Sequence, residues 1–150
     1  MSLDKILSGM HISASGLAGE RLRMEVAANN IANAYSTSTP EGGPYRRQRV
    51  SFQSAMDPLL KSGMHQQLGG GLGGVRVVGV EPDASPLPRV FDPGHPDAQP
   101  DGYVTMPNVT LPHEMVDMVT ASRAYEANLK SMETFRQMAE QALQLLQNLR

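Results

Sequence analysis

The stretch HEMVDMVTASRAYEANLKSMETFRQMAEQALQLLQNLR, residues 113–150, contains neither Gly nor Pro. At a rise of about 1.5 Å per residue it predicts a helix roughly 57 Å long. In alternating steps of four and three the chain reads Leu111, Met115, Met118, Ser122, Tyr125, Leu129, Met132, Arg136, Ala139, Leu143, Leu146 and Arg150. Most of these are apolar or aromatic, which makes a heptad seam of the kind one helix offers another. A second row flanks it at Val116, Val119, Phe135, Met138, Ala142, Leu145 and Leu149. Two adjacent rows form a stripe too wide for one partner helix. The opposite side carries Asp117, Glu126, Lys130, Glu133 and Glu140, with Glu126 and Lys130 at the favourable i, i+4 spacing. The length far exceeds that of a typical globular helix and points to packing in an elongated assembly.

Working back to the start of the chain, Leu3 to Asn33 predicts a second long helix. The same steps give Leu3, Leu7, Met10, Ala14, Leu17, Arg21, Met24, Ala28 and Ile31. Gly9, Gly16 and Gly19 lie within it, and each costs a helix about 1 kcal/mol relative to Ala. Small residues permit close backbone approach, so they read as a packing surface, with a break near Gly16 as the competing reading. Such a segment needs partners to become helical. Asn29, Asn30 and Asn33 follow. A left-handed cap would account for Asn33. Asn29 and Asn30 read as register-setting amides between helices.

Residues 35–111 differ in kind. They hold ten of the eleven Pro and eleven of the fourteen Gly, which excludes long helices. Short strands are expected at Arg46 to Phe52 and Val75 to Val80, and more weakly at Arg89 to Phe91 and Tyr103 to Met106. Leu59 to Gln67 reads as either a short helix or a loop. The organisation is therefore an N-terminal helical segment, 1–34, a Pro/Gly-rich β insert, 35–111, and a C-terminal long helix, 112–150. The fold class is mainly α with a small β-rich insert.

Composition narrows function. The formal net charge of −2 offers no general attraction to nucleic acid or an anionic membrane. The absence of Cys excludes disulfides and thiolate metal sites. No apolar run approaches the length of a membrane span, and the first residues lack a signal peptide's apolar block. Ten Met against three Phe, four Tyr and no Trp suit flexible packing rather than a compact aromatic core.

No pattern supports catalysis or a cofactor. Gly69, Gly71 and Gly74 match G-x-G-x-x-G, but they precede a strand instead of following one and opening a helix. Asp92, His95, Asp97 and Asp101 are punctuated by Pro93, Pro96 and Pro100 and read as turn formers rather than metal ligands. Arg46, Arg47 and Arg49 form a basic strand face. It suits an acidic partner protein, with a nucleic-acid-binding helical protein as the alternative function.

Two segments carry a resemblance. The first is Ser15-Gly16-Leu17-Ala18 followed by Arg23-Met24-Glu25-Val26-Ala27-Ala28-Asn29-Asn30-Ile31-Ala32-Asn33-Ala34. The second is Glu114-Met115-Val116-Asp117-Met118 followed by Ala121-Ser122-Arg123-Ala124-Tyr125-Glu126-Ala127-Asn128. Together they resemble the bacterial flagellar rod and hook family. Pro44-Tyr45-Arg46-Arg47, Asp92-Pro93-Gly94-His95-Pro96-Asp97, Gly102-Tyr103-Val104 and Met106-Pro107-Asn108-Val109 look like its proximal-rod members. The resemblance implies a non-enzymatic subunit of the shaft that crosses the periplasm, exported without a cleaved signal peptide by the flagellar export apparatus. It implies terminal helices paired as a coiled coil in an elongated subunit of a helical assembly. Its partners would be further copies, other rod proteins and the rod-base adaptor, with no nucleic acid, no membrane span and no cofactor. The residues expected to pack between subunits are Leu3, Leu7, Met10, Leu17, Met24, Asn29, Asn30, Ile31, Asn33, Met115, Met118, Tyr125, Asn128, Leu129, Met132, Leu143 and Leu146.

Overall fold

The computed structural model describes residues 3–55 and 73–148. Helix α1 spans Leu3–Ala32 and helix α2 spans Leu111–Asn148. Between them lie strands β1, Gln48–Ser54, β2, Val75–Pro82, β3, Arg89–Phe91, and β4, Tyr103–Thr105. They form two separate two-stranded sheets, β1 with β2 and β3 with β4. The fold is mixed and mostly helical, with small antiparallel sheets. Leu59 to Gln67 and the glycines at 69–71 lie outside the described residues.

Helix α1 runs through Gly16 without a break. Its end is not the left-handed cap expected at Asn33, because no residue other than Gly has a positive φ among those described. Instead the Asn33 amide and side-chain Nδ2 both donate to the Asn29 carbonyl, at 3.1 and 2.9 Å. Asn33 thus winds one extra turn before the chain leaves through the exposed Tyr35. Helix α2 starts two residues earlier than its Gly- and Pro-free stretch. The Thr110 carbonyl accepts the amides of His113 and Glu114 at 2.9 and 3.2 Å. Pro112 falls in the first turn, where a missing N–H costs nothing.

The chain divides into two compact units. Unit 1 comprises Met1–Arg21, Phe52–Val78 and Ala121–Arg150; unit 2 comprises Leu22–Ser51 and Gly79–Thr120.

In unit 1, Ile6, Ser13 and Ala121 are buried. A Cβ on Gly9 would meet Cζ of Phe135 at 2.6 Å, and one on Gly16 would meet Nδ2 of Asn128 at 2.9 Å. The glycines therefore let α1 lie close against α2. Gly9 faces the later residue and Gly16 the earlier one, so the two helices run antiparallel here. Gly19 is covered by Phe52 in the same manner, at 2.9 Å. Gly74, at φ +89°, starts β2 beside Ser15, whose hydroxyl accepts the Val75 amide at 3.1 Å.

In unit 2, Val26, Ala27, Ala34 and Val104 are buried together with Asn30 and Glu114. The β3–β4 hairpin pairs Arg89 with Thr105, Val90 with Val104 and Phe91 with Tyr103. Asp92 to Gly102 makes the connection. There Asp92 accepts the Gly94 amide, the His95 Nδ1 accepts the Asp97 amide, and Asp101 accepts the Tyr103 amide. These residues fold turns, and no metal-binding cluster occurs among the described residues.

Candidate assembly site

The polar centre of unit 2 is built from Asn30 upward. Its side chain is 1 % exposed, so each of its hydrogen-bonding groups needs a partner. Nδ2 donates to the Gln48 carbonyl and to Oε2 of Glu114, both at 2.9 Å. Oδ1 accepts the Gln48 amide and the Tyr45 hydroxyl, again at 2.9 Å. All four capacities of the amide are used. This one side chain ties α1 to the entry of β1 and to the first turn of α2.

Glu114 is equally buried, and its other oxygen accepts Nε of Arg47 at 2.5 Å. Arg47 also reaches Asp117 at 3.1 Å and Asp83 at 3.7 Å. Burial alone would pull the Arg47 guanidinium down. The hydrogen bond to Glu114 and the charges of Glu114, Asp117 and Asp83 outweigh it, and the guanidinium is held more firmly protonated than usual. The Tyr45 hydroxyl is pushed up, by burial first and then by the Glu114 charge. Asp83 is pulled below its ordinary value by hydrogen bonds from the Ser85 hydroxyl and amide. Asn108 closes the set: Oδ1 accepts the Arg47 amide at 2.8 Å, and Nδ2 donates to the carbonyls of Asp83 and Ser85.

This arrangement holds structure and does no chemistry. Each Glu114 oxygen accepts a hydrogen bond from within the chain and the side chain is 1 % exposed, so the carboxylate is closed off from solvent and tied into the fold. Arg47, placed by sequence on a basic face toward an acidic partner, finds its acids within the chain. The nucleic-acid alternative thereby loses its central cation, and nothing else supports it.

The residues singled out for subunit packing are distributed as follows. Asn30 is buried in the centre just described. Met10, Leu17, Met24, Ile31, Asn33, Met118, Tyr125, Asn128 and Met132 are half-buried. Leu7, Met115, Leu129 and Leu143 are 54, 59, 41 and 52 % exposed. Asn29 is exposed, and its carbonyl serves Asn33. The side chains of Leu3 and Leu146 lie outside the described set. Contacts inside the chain run one residue out of step with these rows. On α1 they use Ile6, Gly9, Ser13, Gly16, Ala27 and Asn30; on α2 they use Glu114, Ala121, Asn128 and Phe135. Ile6, Phe135 and several small or polar side chains face inward, while Leu7, Met115, Leu129 and Leu143 beside them stay exposed. The expected Glu126–Lys130 pair is replaced by Lys130 with Glu133 at 3.3 Å. Asp117, expected on the solvated side, is drawn to Arg47.

Sequence reasoning missed Glu114, Tyr45, Asp83 and Asn108 as partners of Asn30 and Arg47. An acidic residue in a helix's first turn reads locally as a favourable dipole interaction. The available signal was that Glu114 shares a heptad column with the small Ala121.

Two long helices with exposed apolar side chains on their rows, and in unit 2 a polar centre whose groups are paired with one another, are the parts of a packing scaffold. A family model described as flagella basal body rod protein matches residues 10–38, and one for the C-terminal region of flagellar basal body rod FlgEFG proteins matches residues 101–145. The flagellar basal-body rod protein FlgC of Borreliella burgdorferi is 44 % identical over 149 residues, covering 95 % of this chain and 98 % of the relative. The FlgC proteins of Salmonella typhimurium and Bacillus subtilis are each 39 % identical, over 140 and 143 residues. These alignments cover 93 and 91 % of this chain and 97 and 95 % of the two relatives. The chain belongs to the flagellar basal-body rod protein family, among its FlgC members. It is a structural subunit of the rod and not an enzyme. No described helix is long and apolar enough to cross a membrane.

Proposed function

We propose that this subunit builds the proximal part of the rod and passes torque through helix packing. Segments 1–34 and 112–150 form the inner layer, where α1 and α2 pair as a coiled coil and the elongated subunits stack into a helical tube. Segment 35–111 forms the outer, subunit-specific surface. The rows through Leu7, Met10, Leu17, Met24 and Ile31 and through Met115, Met118, Tyr125, Leu129, Met132 and Leu143 meet neighbouring subunits, with Leu3 and Leu146 extending them. Neighbours are further copies, other rod proteins and the rod-base adaptor. The chain reaches the periplasm through the flagellar export apparatus without loss of a signal peptide.

The observation that supports this reading is the exposure of the large apolar side chains on rows adjacent to the covered ones. Exposed apolar rows of this size are a liability in a free protein and are useful when repeated contacts cover them. The test is cysteine labelling in extracted basal bodies. Pro40→Cys, on the exposed loop before β1, should react with a maleimide. Leu143→Cys should be protected in the rod and react once rods are dissociated. Equal reactivity of both in intact rods would refute the layering.

A further inference from the structure

We infer that Arg123 and Glu126 pair between copies of this chain, Arg123 of one subunit with Glu126 of the next, and that this couple sets the register in which α2 helices stack. The inference rests on the reading that the α2 rows meet neighbouring subunits.

The charges of α2 divide into those with partners inside the chain and those without. Glu114 and Asp117 are held by Arg47, Lys130 pairs with Glu133, and Arg136 pairs with Glu140. Of the Asp, Glu, Lys and Arg residues in the helix, this leaves Arg123 and Glu126. Both are exposed, and neither makes a hydrogen bond or ion pair among the described residues. The i, i+4 partner open to Glu126 is Lys130, which turns to Glu133 instead. Arg123 stands three residues before Glu126 and so shares its face of the helix. One exposed turn of α2 thus shows both signs of charge, unmatched, and no net charge.

Glu126 borders the row through Ser122, Tyr125 and Leu129. Tyr125 is half-buried there and Leu129 is 41 % exposed. Charges that flank an apolar row choose partner and orientation when helices pack. In solvent both groups are hydrated and need no partner. Once a neighbour covers the row they lose that water, and a charge covered without its opposite is strongly unfavourable. The neighbour must therefore bring a carboxylate to Arg123 and a cation to Glu126, one helical turn apart. The α2 helix of a second copy carries that couple. Matching Arg123 to the next copy's Glu126 uses a different patch on each side, so the contact repeats along an open row. Sliding one helix by a turn would leave both charges without a partner, and the couple thereby excludes the wrong register.

Charge reversal with rescue in trans tests this. Arg123→Glu and Glu126→Arg should each lower incorporation into extracted basal bodies about tenfold or more, since like charges then meet at every contact. Cells making both variants together should recover incorporation and swimming, because alternating copies restore opposite charges. A pair closed within one chain, or made with a different protein, cannot be rescued in this way. The chain has no Cys of its own. Arg123→Cys in one copy and Glu126→Cys in a tagged second copy should therefore be joined in the rod by a short bis-maleimide. Full incorporation of both reversed variants, no recovery when they are made together, or no mixed cross-link would each overturn the inference. Leu129→Asp separates it from the reading beneath it. If Leu129→Asp blocks assembly while the reversed variants assemble, the rows meet neighbours and this couple does not join them. If Leu129→Asp assembles normally, the rows face no neighbour and the couple falls with them.

Discussion

Phe135 lies over Gly9 so closely that any side chain at residue 9 would enter its ring, with 2.6 Å left between a Cβ and Cζ. Away from that contact, residue 9 is an ordinary helix position. Gly9→Ala should then raise helicity slightly, since Ala is worth about 1 kcal/mol over Gly in a helix. In the rod the same change should reduce incorporation, because overpacking costs about 1–3 kcal/mol in every copy. Circular dichroism of the monomer and immunoblots of extracted basal bodies should therefore move in opposite directions. Phe135→Leu in the same chain should restore incorporation.

The buried pair offers a stability test. Glu114→Ala leaves Arg47 facing Asp117 and Asp83 and removes the acceptor for Asn30. Breaking a buried pair from one side costs about 3–5 kcal/mol. The urea midpoint of unit 2, followed by Tyr fluorescence, should fall accordingly. Glu114→Gln keeps an acceptor for Asn30 and should fall less. Arg47→Met combined with Glu114→Gln should cost less than the sum of the two single changes.

Asp83 provides a pH test. Hydrogen bonds from Ser85 hold its carboxyl below the ordinary value of 3.8. A carboxyl depressed on folding adds stability that is present above the unfolded value. That stability is lost as pH falls through the folded value. Ser85→Ala should raise the Asp83 value back toward 3.8, read by carboxyl carbon shifts in an NMR titration. The acid limb of the unfolding profile, below about pH 4, should flatten with it.

Leu129→Asp should prevent incorporation while leaving the monomer intact. Leu129 is 41 % exposed in the free chain, so a carboxylate there stays hydrated until a neighbour covers it. Burying it unpaired then costs several kcal/mol. Glu140→Gln loses only an exposed pair with Arg136, worth about 0.5 kcal/mol, and should assemble. Motility, with immunoblots of basal bodies and of the exported fraction, separates failed assembly from failed export. Normal swimming of Leu129→Asp cells would show that the row faces no neighbour.

Much of this was legible in residue order. The two helices follow from the distribution of Gly and Pro, and the four strands from short β-branched or aromatic runs. Asn29 and Asn30 both stood out because an Asn inside a helix demands an explanation, and of the two only Asn30 is buried. Its partners did not stand out, since periodicity describes one helix at a time and Glu114 is 84 residues away. The face that each helix turns to its own chain was not read from the sequence; it lies one residue from the rows assigned to packing between subunits. Both helices carry adjacent apolar rows, and a wide stripe does not say which row meets the chain's own partner. Here the inward rows mix Ile6 and Phe135 with Gly, Ser, Ala and Asn, so hydrophobicity alone does not single them out.

The hydrogen bond from Asn30 to Glu114 also sets a clock. It closes a loop of 84 residues, at an entropic cost of about 4 kcal/mol from length alone. Contacts of such high sequence separation form late. A growing polypeptide whose ribosome has not yet delivered residue 114 cannot shut this loop, however long it waits. The same holds for a chain threaded through a narrow conduit while the two residues are on opposite sides. This centre is thus postponed until residues 30 to 114 share one compartment, which accords with the proposal that the subunit is exported before it is built into the rod.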